Sequence, residues 1–286
     1  MQRDTASWLE RTIKEFVNES PENTMRNEEN ERAWDEPIVG FSSGADPLYR
    51  FYKQDIGEFF MTPVEWFTKT FPVEPVEAGE LTVVSWILPQ TRATKVEHRL
   101  AREMPTERWA RSRIFGEQFN ARLQSHVVET LREDEYPALA PQLSPIWTRG
   151  NSRKYGFASA WSERHAAYAA GLGTFGLCDG LITSVGKAMR AGSVIAKIDV
   201  KPSRRPYDDH HAYCLYYMRG TCGLCIDRCP VEALSKDGHD KEKCSRHLDV
   251  TRRYVTENFG FDGYGCGLCQ TGVPCESCIP PELTLK

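Results

Sequence analysis

The sequence predicts an α+β chain, with a mixed helix and strand domain followed by a small domain organised by cysteines. Leu81 to Leu88 (LTVVSWIL) is a short apolar run rich in β-branched residues, preceded by Gly79 and closed by Pro89, the pattern of a buried strand. From Pro105 onward Trp109, Phe115, Phe119, Leu123, Val127 and Leu131 recur mainly at intervals of four. That spacing predicts one long amphipathic helix with its Arg and Glu residues on the exposed face. Nine of the ten cysteines fall between Cys214 and Cys278, where apolar patterning is weak, so something other than a hydrophobic core must hold that segment together.

A chain of 286 residues that is 40% hydrophobic and 27% charged can bury a substantial core. Its 36 basic and 40 acidic residues are scattered, which argues against a nucleic-acid partner held by charge. No apolar run approaches the length that spans a bilayer, so no membrane partner is expected. Met1 to Val17 carries Asp4, Glu10 and Glu15 and lacks the basic start, unbroken apolar stretch or twin arginine of an export signal. A cytoplasmic location follows as the expectation. In that reducing compartment ten cysteines are not expected to form a disulfide framework.

The remaining elements follow in order. Trp8, Leu9, Ile13, Phe16 and Val17 recur at helical spacing near the N-terminus, and the polar, acidic stretch Asn18 to Glu36 reads as a linker. Residues 1–36 are therefore taken as helix and linker. Pro37 to Phe67 mixes turn signals (Gly44, Asp46-Pro47, Gly57) with many aromatics, which predicts short helices packed on a domain. Pro137, Pro141 and Pro145 break the chain, and Trp161 to Ala170 returns to helix. The globular domain is taken as 37–205 and the cysteine-rich domain as 206–286.

Gly171-Leu172-Gly173-Thr174-Phe175-Gly176 matches the string that cradles a dinucleotide pyrophosphate. The context differs. In the dinucleotide fold the string follows a strand and opens a helix, whereas here it follows Ser162 to Ala170 and leads into Leu181-Ile182-Thr183. Glycines also let backbone turn sharply and approach a ligand or another element where no side chain fits, and a helix C-cap with a tight turn is the plainer version of that reading.

Cys214-x7-Cys222-x2-Cys225-x3-Cys229-Pro230 forms the first half of the cysteine signal, and Cys244 with Cys266-x2-Cys269-x5-Cys275 the second. In two-cluster ferredoxins the cysteine before proline ligates the other cluster. Applying that crossing assigns Cys214, Cys222, Cys225 and Cys275 to one [4Fe-4S] cluster and Cys229, Cys244, Cys266 and Cys269 to a second. The usual run has x2 where this chain has x7, and Cys278 is an alternative to Cys275. Paired zinc sites use similar C-x2-C spacing, but the x3-Cys-Pro ending is ferredoxin-like and not a zinc requirement. Cys178, alone among glycines, reads as a small buried hydrophobe.

The order of Ser162-Glu163-Arg164-His165-Ala166-Ala167-Tyr168-Ala169-Ala170 before the glycine string, then Leu181-Ile182-Thr183, Gly192-Ser193-Val194-Ile195 and the double-cluster cysteines, resembles the epoxyqueuosine reductase and reductive dehalogenase superfamily. The resemblance covers about Leu81 to Cys275 and is strongest after Trp161. It implies a nitroreductase-like, cobalamin-binding α/β domain followed by a small bacterial-ferredoxin-like domain with two [4Fe-4S] clusters. The clusters of that superfamily reduce the cobalt of a base-off corrinoid. On this resemblance the cobalamin is expected against Gly171, Gly173, Thr174, Phe175 and Gly176, near the Leu181 to Thr183 strand.

Two departures bear on chemistry. Epoxyqueuosine reductases share an Asp-Thr-Gly-Pro stretch shortly before the Glu-Arg pair, with the aspartate as proposed proton donor. Counting back from Glu163-Arg164 finds Phe157-Ala158-Ser159-Ala160 there, and Phe157 carries no proton to give. The C-terminal extension that helps those enzymes hold tRNA is not seen before Lys286, and the twin-arginine leader of respiratory dehalogenases is not seen either.

Tyr155 is the candidate catalytic residue in place of the acid, with Lys154, Arg153, His210 and His211 as neighbouring polar candidates. His165 reads as a structural histidine. The functional reading is a corrinoid-dependent iron-sulfur reductase that takes electrons from a donor such as ferredoxin or flavodoxin and acts on a small organic substrate. Two readings stand beside it: a two-cluster ferredoxin-type electron-transfer protein without corrinoid or its own catalysis, and a structural protein with two zinc sites.

Overall fold

Alternate residues of the Leu81 to Leu88 run serve two different cores. Val84, Trp86 and Leu88 pack on one side, and Leu81, Val83 and Ile87 on the other. A strand covered on both faces has no polar alternation, which is why the run reads as continuous apolar sequence. In the computed structural model, which describes residues 4–284, this run is the second strand of a four-stranded sheet.

The elements in chain order are α1 (Thr5–Glu19), β1 (Ile38–Ser43), α2 (Pro47–Ile56), α3 (Pro63–Thr70), β2 (Leu81–Pro89), α4 (Arg92–Leu100) and α5 (Glu107–Glu133). Then come β3 (Ala138–Leu139), β4 (Arg149–Ser152), β5 (Gly156–Ser159), α6 (Glu163–Ala169), β6 (Gly173–Phe175), β7 (Leu181–Thr183) and β8 (Met189–Lys197). The cysteine segment carries α7 (Leu215–Arg219), α8 (Leu224–Asp227), β9 (Leu234–Ser235), β10 (Gly238–His239), α9 (Lys241–Phe259) and α10 (Pro281–Thr284). The main sheet runs β1-β2-β8-β3 with every pair antiparallel. Ile38 faces Ile87 across the first pair, and Leu81 faces Lys197 across the second.

On one face α1 and α5 bury Trp8, Leu9, Ile13 and Val17 against Phe119, Leu123, Val127 and Leu131. Each such side chain contributes about 2 kcal/mol on burial, which makes this stripe the main support of the N-terminal helix. On the other face α2, α3 and α6 bury Tyr49, Trp66, Phe67 and Ala167 against β2 and β8. The strand and long helix expected from the sequence are present, as β2 and α5, and so is the helix after Trp161, as α6.

Two expectations need correction. The stretch 18–36 is irregular but is no solvated linker: Met25, Ala33 and Trp34 lie in the core beside α1 and α5. Its backbone is satisfied by a side chain, since Asn23 Nδ2 donates to Val17 O and Trp34 O, both at 3.0 Å. Trp34 Nε1 donates to Gly116 O at 2.9 Å, and a Cβ at Gly116 would collide with that indole. The region 37–67 holds a strand, β1, before its helices; Ile38-Val39-Gly40-Phe41 has the composition of an edge strand and was hidden among the turn signals.

The cysteine segment packs on the same body. Arg228 donates to the carbonyls of His98, Ala101 and Leu268 at 3.2, 2.8 and 3.2 Å, capping the end of α4. Arg99 Nε donates to Glu276 Oε2 at 2.9 Å. The amides of Lys187 and Ala188 donate to the carbonyls of Cys275 and Glu276 at 2.9 and 3.1 Å. Among the described residues no helix is long and apolar enough to cross a membrane.

Candidate functional site

The cysteines reach their places through short helices and glycine turns. Cys214 caps the N-terminus of α7, which stops at Gly220 in the left-handed conformation (φ 64°). Cys225 lies in α8, and Cys229 follows it with its Sγ accepting the Ala233 amide at 3.1 Å. Cys244 sits in the first turns of α9, behind the Asp240 side chain that caps that helix. Gly267, at φ 65°, turns the chain between Cys266 and Cys269 against the Trp109 ring, where a Cβ would not fit.

Cys214, Cys222, Cys225 and Cys275, the first expected group, line one cavity together with Gly176, Ile182 and Lys187. In the second group Cys266 faces Cys244 and Cys229. Cys269, the fourth member, leans on Cys178 instead and also faces Cys266. Cys278 is exposed, which sets it apart from these groups. Among the described residues no three His, Cys, Asp or Glu side chains cluster at the spacing of a single metal ion.

The sequence reading missed Cys178 and Lys187. Cys178 is buried as expected, but its Sγ accepts from Lys187 Nζ at 3.3 Å and touches Cys225 and Cys269, which fall in different groups. Hydrogen bonds from those two thiols, with Lys187 nearby, hold its thiol well below the ordinary range. Burial opposes charge on Lys187, yet the sulfurs of Cys178, Cys275, Cys225 and Cys269 outweigh it and keep the ammonium charged. Burial pushes Cys275 and Cys266 up to about 11. No periodicity marks Lys187; its only signal in the sequence is a lysine following Gly186 in an otherwise apolar hairpin.

A second polar group gathers around the β4–β5 turn. Tyr155, on the β4–β5 turn, is partly exposed, and its hydroxyl donates to Asp55 of α2. Lys154 Nζ donates to the other Asp55 oxygen at 2.7 Å. Burial alone would raise Asp55, but the bonds from Lys154 and Tyr155 hold it below its ordinary value. Burial, followed by the Asp55 carboxylate, raises Tyr155 and keeps its proton on. Phe157 is exposed, and Lys241 Nζ donates to its carbonyl at 3.3 Å. Asp55 was missed because it lies in α2, among aromatics that read only as core.

The other candidates separate from this group. Arg153 is exposed, as is His210, whose Nδ1 is 3.9 Å from Asp209. The His211 Nδ1 lies 2.8 Å from Phe175 O and its ring stacks on Tyr217. His165 packs between Tyr52 and Phe175 with Nδ1 on Ser162 Oγ, and burial lowers it to about 3, in keeping with a structural histidine.

The glycine turn forms a short hairpin, β6 paired with β7, and does not open a helix. Of the two reasons expected for its glycines, approach to a ligand or to another element, the second is seen. A Cβ at Gly171 (φ 78°) would strike Arg204 O, one at Gly173 would strike Ile182 O, and one at Gly176 would press on the Ile182 side chain. Thr174 Oγ1 accepts the Tyr213 amide at 2.8 Å, and Phe175 packs on His165 and Tyr168. Contacts within the chain thus explain the glycines at 171 and 173, while Gly176 also lines the cysteine cavity.

An antiparallel four-stranded sheet flanked by helices carries a cysteine-rich segment docked on the end of α4 and the β7–β8 turn. No family model matches the chain. It is 33% identical over 119 residues to the epoxyqueuosine reductase of Bacillus anthracis, covering 40% of this chain and 29% of that protein. It is 31% identical over 120 residues to the epoxyqueuosine reductase of Bacillus subtilis strain 168, covering 40% and 28%. The chain thus spans under a third of the length of these curated relatives. The fold is like that of a variant of the N-terminally tagged catabolic reductive dehalogenase NpRdhA, with a TM-score of 0.52 at 16% identity over 97% of this chain and 37% of that one. The resemblance to epoxyqueuosine reductases is borne out by these relatives, and the dehalogenase is similar in fold.

Proposed function

We propose that the chain is an oxidoreductase that passes electrons through two [4Fe-4S] clusters to an organic substrate. The observation that carries this reading is the convergence of Cys214, Cys222, Cys225 and Cys275 on one cavity, with the buried ammonium of Lys187 turned toward sulfur. Thiolates are the ligands such clusters use, and a buried cation needs negative charge beside it, so the donor set fits. The first cluster would be held by those four cysteines and the second by Cys229, Cys244, Cys266 and Cys269. When bound, the clusters store and release single electrons, which a ferredoxin or flavodoxin class donor would supply.

Reduction of an epoxide, a halide or a similar centre leaves negative charge that must take up a proton. Tyr155 is the proposed donor, and Asp55 orients its hydroxyl. The relatives named epoxyqueuosine reductase support an epoxide-containing nucleoside as the first substrate to try, and the dehalogenase support an organohalide as the second. Cobalamin is part of the proposal through resemblance, against the turn from Gly171 to Gly176, and no step runs through it.

Anaerobic reconstitution followed by iron, sulfide, zinc and cobalt analysis tests the proposal. Iron and sulfide sufficient for two clusters are expected, with a cobalamin spectrum that changes on adding protein. Stoichiometric zinc with little iron would overturn the reading, and an unchanged cobalamin spectrum with full iron would leave the electron-transfer protein.

A further inference from the structure

Lys187 lies on the turn between β7 and β8 and is only 3% exposed. Its Nζ donates to Cys178 Sγ at 3.3 Å, and Cys275, Cys225 and Cys269 surround it. Its amide also donates to Cys275 O at 2.9 Å, so one residue grips the Cys275 segment by main chain and faces it by side chain. Among the described residues no carboxylate forms an ion pair with it. Burying an ammonium without negative charge costs several kcal/mol. A cluster held by four thiolates is anionic in both oxidation states and supplies that negative charge beside the ammonium.

Three of the sulfurs around Lys187 separate by group. Cys225 and Cys275 belong to the first expected ligand set and Cys269 to the second, with Cys178 touching both Cys225 and Cys269. The lysine thus stands at the junction of the two sets but lines the cavity of the first. We infer that Lys187 is a fixed buried cation that raises the reduction potential of the cluster held by Cys214, Cys222, Cys225 and Cys275, with Cys178 as the non-ligating acceptor that aims its ammonium. Adding an electron makes that cluster more negative, and a cation close by stabilises the more negative state. The electron then comes to rest preferentially on the cluster beside the β6–β7 hairpin and the first domain. This inference rests on the two-cluster reading above.

The experiment is a redox titration of the anaerobically reconstituted full chain, followed by electron paramagnetic resonance, with iron and sulfide counted in each sample. Lys187→Met is expected to make one cluster harder to reduce by tenfold or more in its one-electron equilibrium, about 59 mV, while the other moves less. Lys187→Arg keeps the charge and is expected to stay near wild type. Cys178→Ala is expected to keep full iron and sulfide. Equal potentials in wild type and Lys187→Met would overturn the inference, as would an arginine variant that shifts as far as the methionine one. Loss of a cluster in Cys178→Ala would overturn it too, by making that cysteine a ligand. If Lys187→Met retains no iron, full iron in Lys187→Arg supports the inference, because the charge is then needed to hold the cluster, and iron loss in both overturns it. Wild-type protein that takes up no iron fails the two-cluster reading itself, a result distinct from all of these.

Discussion

The hydroxyl of Tyr155 donates to Asp55 Oδ2 at 2.5 Å, joining a hairpin turn to a helix 100 positions earlier in the chain. A tyrosine that keeps its proton beside a carboxylate is a donor with a fixed direction. Tyr155→Phe keeps the ring and removes only the hydroxyl, so turnover should fall about 100-fold to 10,000-fold, the range typical of a general acid. Asp55→Asn should fall less, since the amide still accepts the bond. Both variants should keep their iron. Turnover equal to wild type in Tyr155→Phe, measured with reduced viologen and whichever epoxide or halide is consumed, would move the role to Lys154, Arg153 or His210.

Cys222 and Cys266 belong to different expected groups. Cys222→Ala and Cys266→Ala should each remove about half of the iron after reconstitution, and each should abolish a different paramagnetic signal. Cys278→Ala should retain full iron, because that thiol is exposed. Iron loss in Cys278→Ala with full iron in Cys275→Ala would reverse the ligand assignment.

Glu163 gives a pH dependence of known sign. Its carboxyl accepts from Ser193 and Gln124 under α6, and burial raises it from an ordinary value of 4.5 to about 8. The folded chain keeps a proton that the unfolded chain releases, so this contribution is complete below about 4.5 and is lost as pH climbs through about 8. Glu163→Gln removes the slope. Melting curves should show the variant gaining on wild type between pH 5 and pH 8 by something on the order of a few kcal/mol. A constant difference across that range would mean the carboxyl titrates normally.

Arg228 satisfies carbonyls in two separated parts of the chain, the end of α4 and Leu268. Arg228→Met should cost about 3 kcal/mol in denaturant unfolding, since buried carbonyls lose charge-assisted bonds together. Arg228→Lys should recover less than half of that, because one ammonium cannot fork to all of them. Full recovery by lysine would show that charge alone matters there.

Much of the scaffold could be read from sequence because its signals are periodic. Leu81 to Leu88 and the four-residue spacing from Trp109 to Leu131 became β2 and α5, since burial on defined faces imposes those repeats. Met25 and Trp34 could not be placed that way. They anchor an irregular stretch whose backbone is tied by Asn23, and no repeat distinguishes such a stretch from a solvated linker.

The site divides in the same manner. Cysteine spacing in the sequence put Cys214, Cys222, Cys225 and Cys275 in one group, and these line one cavity. Asp55 beside Tyr155 is a meeting between distant segments, and Lys187 beside Cys178 is a local meeting across β7 that no periodicity marks. The glycine string was legible as a place of close approach, but not as to what approaches it: Ile182 and Arg204 supply the backbone that fills the space.

The bonds from Arg228, Cys275 and Glu276 to the end of α4 and the β7–β8 turn also set an order of events. While the polypeptide is being made, the carbonyls of His98 and Ala101 and the amides of Lys187 and Ala188 emerge long before their partners. Those patches stay open until residues 228 to 276 have left the ribosome and folded back over them. The cysteine segment therefore settles after the sheet it covers, and a chain in which it fails to settle leaves those two patches open. Proteases of the quality-control machinery cut where backbone is loose, so the docking of this segment doubles as a test of completion.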